Sequence, residues 1–321
     1  LALLGGGLAA DGMSAELFDA ALRQEIQAVR IVAAVQRFEP RQSVNAMGAP
    51  IHTSDYSVDV TWQPANARAH EAWDIQTHYP IPAEFAFTLT YNEQHGVRRG
   101  SQGPLGPPGD SEAPIEFARV GASFKDLWLT NPLILSAFAT ALPDGESDSR
   151  RSFFAHGTEW MLQIDRATGL PVELSTIETD PHEGEIENKV VFSDWREVSG
   201  VPFPYRLAQY TGDKLVRREV RSEIVVNPRD AEALLELPRM TAENNQADYD
   251  WGWSMSHILL KRGGGGNNHA PQFTNVTFEE AGEGIFIMAG SSHHNLLIVG
   301  PEGLALVDAS WYSQRSETLL A

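Results

Sequence analysis

From Val29 onward the chain alternates apolar and polar residues. The segments Val29–Phe38, Asp55–Trp62, Arg68–Thr77 and Glu84–Tyr91 are rich in Val, Ile, Thr, Tyr, Phe and Trp at this period of two. Successive side chains of a strand point to opposite faces, so the pattern predicts antiparallel strands with one wet face. Ahead of them, Leu17, Ala21, Leu22 and Ile26 recur at helical spacing behind Ser14, an N-cap residue, which predicts a helix over Ser14–Val29. Gly100–Pro114 has four Gly and four Pro in fifteen residues and predicts an irregular loop. Helical spacing returns from Ile115 to Leu129, and Asn131-Pro132 opens a second helical stretch to Leu142. Two helices are thus expected to cover a sheet face or its mouth.

The middle of the chain is the most regular part. Trp160–Asp165 is followed by Arg-Ala-Thr-Gly and then by Leu170–Glu178, a strand–turn–strand order with Gly169 at a left-handed turn position. Asn188–Val198, Phe203–Tyr210 and Leu215–Asn227 follow, joined by the turns Ser-Gly-Val-Pro and Thr-Gly-Asp-Lys. Asn227-Pro228 stops this meander, and Pro228 suits the first turn of a short helix through Leu235. Residues 239–272, with four consecutive glycines, read as a flexible linker. A lead-in strand, Phe273–Glu279, opens the last segment. Three apolar runs bounded by Gly and Pro come next, Ile285–Ala289, Asn295–Val299 and Leu304–Val307, and they read as buried strands with a hairpin turn at Gly300–Gly303.

With 321 residues the chain is long enough for two cores. Its net charge of −19 argues against unassisted binding to nucleic acid or an anionic membrane, since both attract basic patches. There is no cysteine, which excludes disulfides and thiolate-bound metals, and no run approaches the roughly 18 apolar residues of a membrane span. Leu1–Ala10 reads either as the tail of a signal peptide's apolar region or as a loop leading into the first helix. The expected organisation is a leader over 1–13, an antiparallel domain over 14–238, the linker, and a second unit over 273–321.

Two resemblances add to this reading. The combination Ile-Asp-x-x-Thr-Gly-Leu-Pro, Phe-Ser-Asp-Trp, Gly-Val-Pro-Phe-Pro and Val-Asn-Pro-x-Asp resembles the half-barrel domain of periplasmic lipoprotein carriers. That resemblance implies one curved antiparallel sheet wrapped on helices around an apolar cavity, and an envelope location. The last forty or so residues, with their Gly-Ile-Phe-Ile-Met-Ala-Gly strand, the His-His-Asn-Leu-Leu-Ile-Val strand, the Pro-Glu-Gly turn and the Leu-Ala-Leu-Val-Asp-Ala strand, resemble the opening of the metallo-β-lactamase fold. In that family the zinc-binding His-x-His-x-Asp-His loop comes some tens of residues after the aspartate matched by Asp308. The resemblance therefore covers none of the metal ligands. It implies zinc in a longer parent and no catalytic zinc in this chain. The whole then reads as mainly β (α+β): a half-barrel with covering helices, followed by the first strands of an αββα fold.

His293 and His294 stand, by the same resemblance, near the mouth of an active site, with Asn295 opening the strand behind them. Adjacent strand residues face opposite ways, so both histidines cannot ligate one metal without a bend; the alternative is a pair of hydrogen-bonded loop histidines. Asp308 either braces a neighbouring loop by accepting backbone N–H bonds or caps the segment after it. The remaining histidines, His52, His70, His78, His95, His156, His182, His257 and His269, show no His-x-His and no His-Glu-x-x-His spacing. No serine sits in a Gly-x-Ser-x-Gly elbow. The acidic stretch Glu178–Glu187 reads as a solvated hairpin tip or a cation site. Trp160, Trp195, Phe203 and Tyr205 read as core packing or as the lining of a lipophilic cavity. Three functions remain open: an inactive fragment of a zinc-dependent hydrolase acting on a small molecule, an envelope carrier for a lipid or hydrophobic small molecule, or a purely structural envelope module.

Overall fold

The computed structural model describes residues 26–39, 48–79, 81–92, 96–101, 103, 109–114, 127–137, 140–141, 149–155, 158–180, 184–237, 277–289 and 295–307. The chain divides into two compact units, one of Leu1–Glu178 with Ile186–Gly265 and one of Thr179–Glu185 with Gly266–Ala321. No helix among the described residues is long and apolar enough to cross a membrane.

Among the described residues, the first unit is built on one open antiparallel sheet of 13 strands. Its first arm is a meander: β1 (Val29–Glu39), β2 (Ile51–Gln63), β3 (Arg68–Thr77), β4 (Ala83–Asn92), β5 (Gly96–Ser101) and β6 (Asp110–Pro114). Its second arm runs through β7 (Thr140–Ala141), β8 (Arg150–Ala155), β9 (Thr158–Ile164), β10 (Pro171–Asp180), β11 (Gly184–Val198), β12 (Val201–Thr211) and β13 (Lys214–Val226). The arms join where β1 pairs with β13, so the order is β6-β5-β4-β3-β2-β1-β13-β12-β11-β10-β9-β8-β7. The turns follow local chemistry. Ser199 and Gly200, both at positive φ (55° and 83°), close the β11–β12 hairpin between Val198 and Val201. Two left-handed central residues match the twist of the flanking strands. In the β9–β10 turn Asp165 accepts from the N–H of Ala167 (2.9 Å) and the hydroxyl of Thr168 (3.0 Å), and Gly169 takes φ 68°.

The sheet has one dry face. Val35, Tyr56, Val58, Val60, Trp62, Trp73, Ile75, Phe85, Phe87 and Leu89 of the first arm are buried, with Phe153, Trp160, Leu162, Val190, Phe192 and Phe203 of the second, in a single cluster. Residues Leu127–Ala137, including helix α1 (Pro132–Ala137), cross this face. Asn131 caps α1 by accepting from the N–H of Leu133 (2.9 Å) and donates Nδ2 to the carbonyl of Pro202 on β12 (3.1 Å). Trp128 meets Trp62 of β2 edge-on at 5.1 Å, while α1 packs against β8. In the sheet, β2 and β8 are seven strand spacings apart, about 34 Å if flat at 4.7–4.9 Å per strand. The backbone from Trp128 to Ala137 spans at most about 22 Å, about 13 Å of extended chain to Pro132 and a helix of about 9 Å, which falls short of that distance. The sheet therefore curls around Leu127–Ala137.

Three expectations need correction. The Ser14–Val29 helix is not seen at its end: β1 begins at Val29, and Ser14 to Glu25 lie outside the described residues. The helix from Asn131 stops at Ala137, and Thr140–Ala141 is a strand; Leu142 precedes Pro143, which biases it toward extended backbone and away from helix. Within Gly100–Pro114, β6 is a strand paired with β5. It is the sheet's edge, where a missing proline N–H costs no ladder bond on the open side.

The second unit contains a separate four-stranded antiparallel meander: β14 (Thr277–Gly282), β15 (Ile285–Ala289), β16 (Asn295–Gly300) and β17 (Gly303–Val307). Gly284 enters β15 at φ 69°, and a Cβ there would come within 2.7 Å of the carbonyl of Val299, so glycine is required. Among the described residues no helix packs on this sheet, and the αββα layering expected here is not shown.

Candidate functional site

The dry face of the large sheet carries charge where an apolar face would have none. On β13, Arg217, Glu219 and Arg221 alternate toward it and are all at least 92% buried. Val35 of β1 lies opposite Glu219, and Leu207 and Gln209 of β12 lie opposite Glu219 and Arg217. Both guanidiniums donate to the one carboxylate: Arg221 Nε to Glu219 Oε1 at 2.8 Å, and Arg217 Nη2 to Oε2. Arg221 Nη1 also donates to the carbonyl of Pro204 (2.9 Å), whereas its buried Nη2 has no hydrogen-bond partner among the described residues.

Burial works against each of these charges. It pushes the Glu219 carboxyl up, but Arg217 and Arg221 outweigh it and hold the group below the usual carboxylate range. Burial lowers Arg221 on balance, while for Arg217 the charge of Glu219 and the hydrogen bond to it, with Glu71 behind, outweigh burial and the guanidinium is raised. A second buried carboxylate, Glu71 on β3, accepts from Trp73 Nε1 (2.7 Å) and from the hydroxyl of Tyr91. Glu71 lies opposite Val60 and Leu89, both buried, and so faces the same way.

Between this ionic patch and the crossing segment is a small cleft lined by Leu129, Thr130, Val190, Leu207, Gln209, Arg217 and Glu219. Its interior is only about 10 Å³, and about 250 Å³ with its open mouth included. Leu129, Val190 and Leu207 make an apolar wall, and the Arg–Glu pair a polar floor. Such a lining suits a molecule with a greasy body and one polar end.

No match to this chain appears among protein-family models, nor among curated proteins. Solved structures with some likeness to this chain include a DUF1329-family protein from Desulfovibrio piger, 12% identical over 71% of this chain and 97% of that one, with TM-score 0.43. A LolA-superfamily protein from Nitrosomonas europaea is 10% identical over 69% and 95% of the two chains, with TM-score 0.38. A beta-barrel-like DUF1849 protein from Brucella abortus is 6% identical over 64% and 99%, with TM-score 0.22. Nothing in these likenesses shows a metallo-β-lactamase fold.

Of the residues singled out from sequence, His293, His294 and Asp308 lie outside the described residues. Asn295 opens β16 opposite Met288, and both are buried. Trp160, Phe203 and Tyr205 belong to the core cluster. Trp195 packs against it and donates Nε1 to the carbonyl of Pro171 (3.0 Å). The Glu178–Glu187 stretch is described in part: Lys189 stands 3.8 Å from Glu187 and 3.9 Å from Glu173. A cavity is expected from the sequence, but the residues that line the cleft and the Arg217–Glu219–Arg221 patch are not among those singled out for it. Their signal was present as Arg-x-Glu-x-Arg at strand period, but with Val216 and Val220 on the alternate positions the same run reads as a strand with its charges in water.

Proposed function

We propose that this protein is a carrier or binding domain of the bacterial envelope that holds one lipid or other hydrophobic small molecule against the inner face of its large sheet. One observation supports this reading above the others. A single aromatic-rich face, curled around one short crossing segment, opens at Leu129–Thr130 onto an apolar wall beside buried arginines. The apolar tail of the ligand lies along Leu129, Val190 and Leu207, and its polar end faces Arg217. The cleft is too small for a whole lipid, so Leu127–Ala137 moves outward as the ligand enters. The envelope location and the carrier role also agree with the hairpin resemblance of residues 14–238. No observation on the second unit favours zinc-dependent hydrolysis.

The test is retention of ligand. Protein isolated from bacterial envelopes and sprayed under native conditions is expected to carry about one lipid mass per chain. In solution it is expected to take up a fluorescent fatty acid that unlabelled lipid displaces. Leu207→Asp, at a half-buried position on the cleft wall, is expected to weaken uptake roughly tenfold or more, in keeping with the 1.5–3 kcal/mol of a buried leucine. Lipid-free protein that takes up no probe, or a folded Leu207→Asp variant that binds as the parent does, overturns the carrier reading.

A further inference from the structure

The solvent face of the same sheet gathers two histidines and an aspartate from two neighbouring strands and the turn that follows. His52 and Asp55 belong to β2, and His78 follows β3 directly. His52 Nε2 lies 3.1 Å from Asp55 Oδ1, and His78 Nε2 lies 2.7 Å from Oδ2. The imidazoles sit side by side at 4.9 Å, and one ligand atom from each of the three residues falls within 4.8 Å of the others.

Residues three apart on a regular strand face opposite ways, so His52 and Asp55 should not meet. A β-bulge makes them meet. Opposite β1, Arg37 pairs with Ser54 but Phe38 pairs with His52, which leaves Thr53 as an extra residue on β2. The bulge shifts the phase by one, and His52 joins Asp55 on the wet face. On the other side Gln76 lies opposite Asp55, and His78, two residues on, shares that face. The bulged residue is fixed on both sides. Its carbonyl accepts from the N–H of His78 (2.7 Å) and of Tyr79 (3.3 Å), and its hydroxyl donates to the carbonyl of Arg37 (3.1 Å). Phe38 backs the His52 ring at 5.2 Å, and Gln36 donates to Asp55 Oδ1 at 3.3 Å. The side chains remain 36–41% exposed, so an ion in solution reaches them directly.

We propose that His52, Asp55 and His78 form a binding site for one divalent transition-metal ion. Two imidazole nitrogens and a carboxylate are the donor set of borderline ions such as Zn²⁺ and Co²⁺, and a poor one for Mg²⁺ or Ca²⁺, which take oxygen. An ionised carboxylate only accepts, so both Nε2 atoms now carry the proton they donate to Asp55. On binding, each ring gives up its Nε2 proton to solvent and takes one up on Nδ1, so that the freed Nε2 lone pair faces the metal. Ligand bonds of about 2.0–2.2 Å to the ion would replace the two hydrogen bonds to Asp55. The ion would tie the start of β2 to the chain leaving β3, with its remaining positions on water.

The full chain, stripped with chelator, is titrated with Zn²⁺ by calorimetry and with Co²⁺ by visible absorption. The expected result is a Co²⁺ spectrum of N/O ligation that saturates at one ion per chain and is displaced by Zn²⁺. His52→Gln, His78→Gln and Asp55→Asn are each expected to weaken that binding roughly tenfold or more, at least the loss seen when mere supports of a metal ligand are removed. His70→Gln, whose ring bonds Thr90 elsewhere on the sheet, is the control and leaves it unchanged. Far-UV circular dichroism of the metal-free variants establishes that each is folded. Absence of binding, or zinc affinity and a cobalt spectrum that folded His52→Gln and His78→Gln share with the parent, overturns the assignment.

Discussion

Glu219 is the residue on which the inner face depends most, because it is the shared partner of two buried guanidiniums. Removing its charge while keeping its shape leaves both cations uncompensated in a dry place. Glu219→Gln is therefore expected to lower stability in urea by about 3–5 kcal/mol at neutral pH. The pH dependence follows from the direction of the shift. The folded carboxyl lies below its unfolded value, so its contribution is complete above the ordinary glutamate range near about 4.3 and is lost as pH falls through the folded value. The gap between parent and variant should be constant from neutral pH down to that range and shrink below it. A gap that does not change with acidification would show that the ion cluster is not its source. The patch also marks where sequence and structure part. In Lys214–Val226 the apolar residues Val216 and Val220 invite a strand with its charges outward, yet Val220 is 49% exposed and Arg217, Glu219 and Arg221 are buried. A period of two states that faces alternate; it does not state which face is dry when both carry apolar residues.

At the scale of elements, most strands were legible because their signals are local. Arg68–Thr77 is a strand over the same residues that alternation marks, and Ser-Gly and Asp-x-x-x-Gly place their turns without any help from tertiary contacts. What could not be read was where strands break step. The Thr53 bulge that brings His52 beside Asp55 leaves no trace in the alternation of β2, so the spacing of histidines along the chain does not show the cluster. The seam between β1 and β13 is similar. Asn227 was expected only to stop a strand. It also adopts φ 52°, accepts from the N–H of Gln27 (2.8 Å) and of Ala28 (3.0 Å) through Oδ1, and donates its own N–H to the carbonyl of Ala28 (2.8 Å). Asn227→Ala loses the side-chain bonds and puts in a left-handed conformation a residue that, unlike asparagine, has no polar side chain to support it, for an expected cost of about 2–3 kcal/mol in urea unfolding. Asn227→Gly keeps the conformation cheaply and should cost less. Equal losses would place the whole effect in the hydrogen bonds.

At the scale of the molecule, the thirteen strands fall into two meanders, β1 to β6 and β7 to β13, in which every neighbour in the sheet is also a neighbour in the chain. Rhythm along the sequence suffices to predict such pairs. The joining pair is different: Val29 meets Val226 and Arg37 meets Arg217, across nearly the whole first unit, and nothing local encodes that choice. It is nonetheless the centre of the sheet. β1, β2 and β13 have partners on both sides and contribute Val29, Ile31, Val35, Val60, Trp62 and Ile224 to the core, whereas β6 and β7 are edges, and β7 is two residues long. Opening free energies rise from frayed edges toward the global value in strands that cannot separate without unfolding the core. Native-state hydrogen exchange is accordingly expected to be slowest at the amides of β1 and of the β2 and β13 residues paired to it, and fastest in β6 and β7. On the proposed carrier reading, ligand entry moves Leu127–Ala137 off the inner face without parting these strands, so a bound lipid should lower protection in α1 and leave the β1–β13 seam unchanged. Edge strands as protected as the seam would mean that the two meanders are not held together through β1 and β13 in the way their register implies.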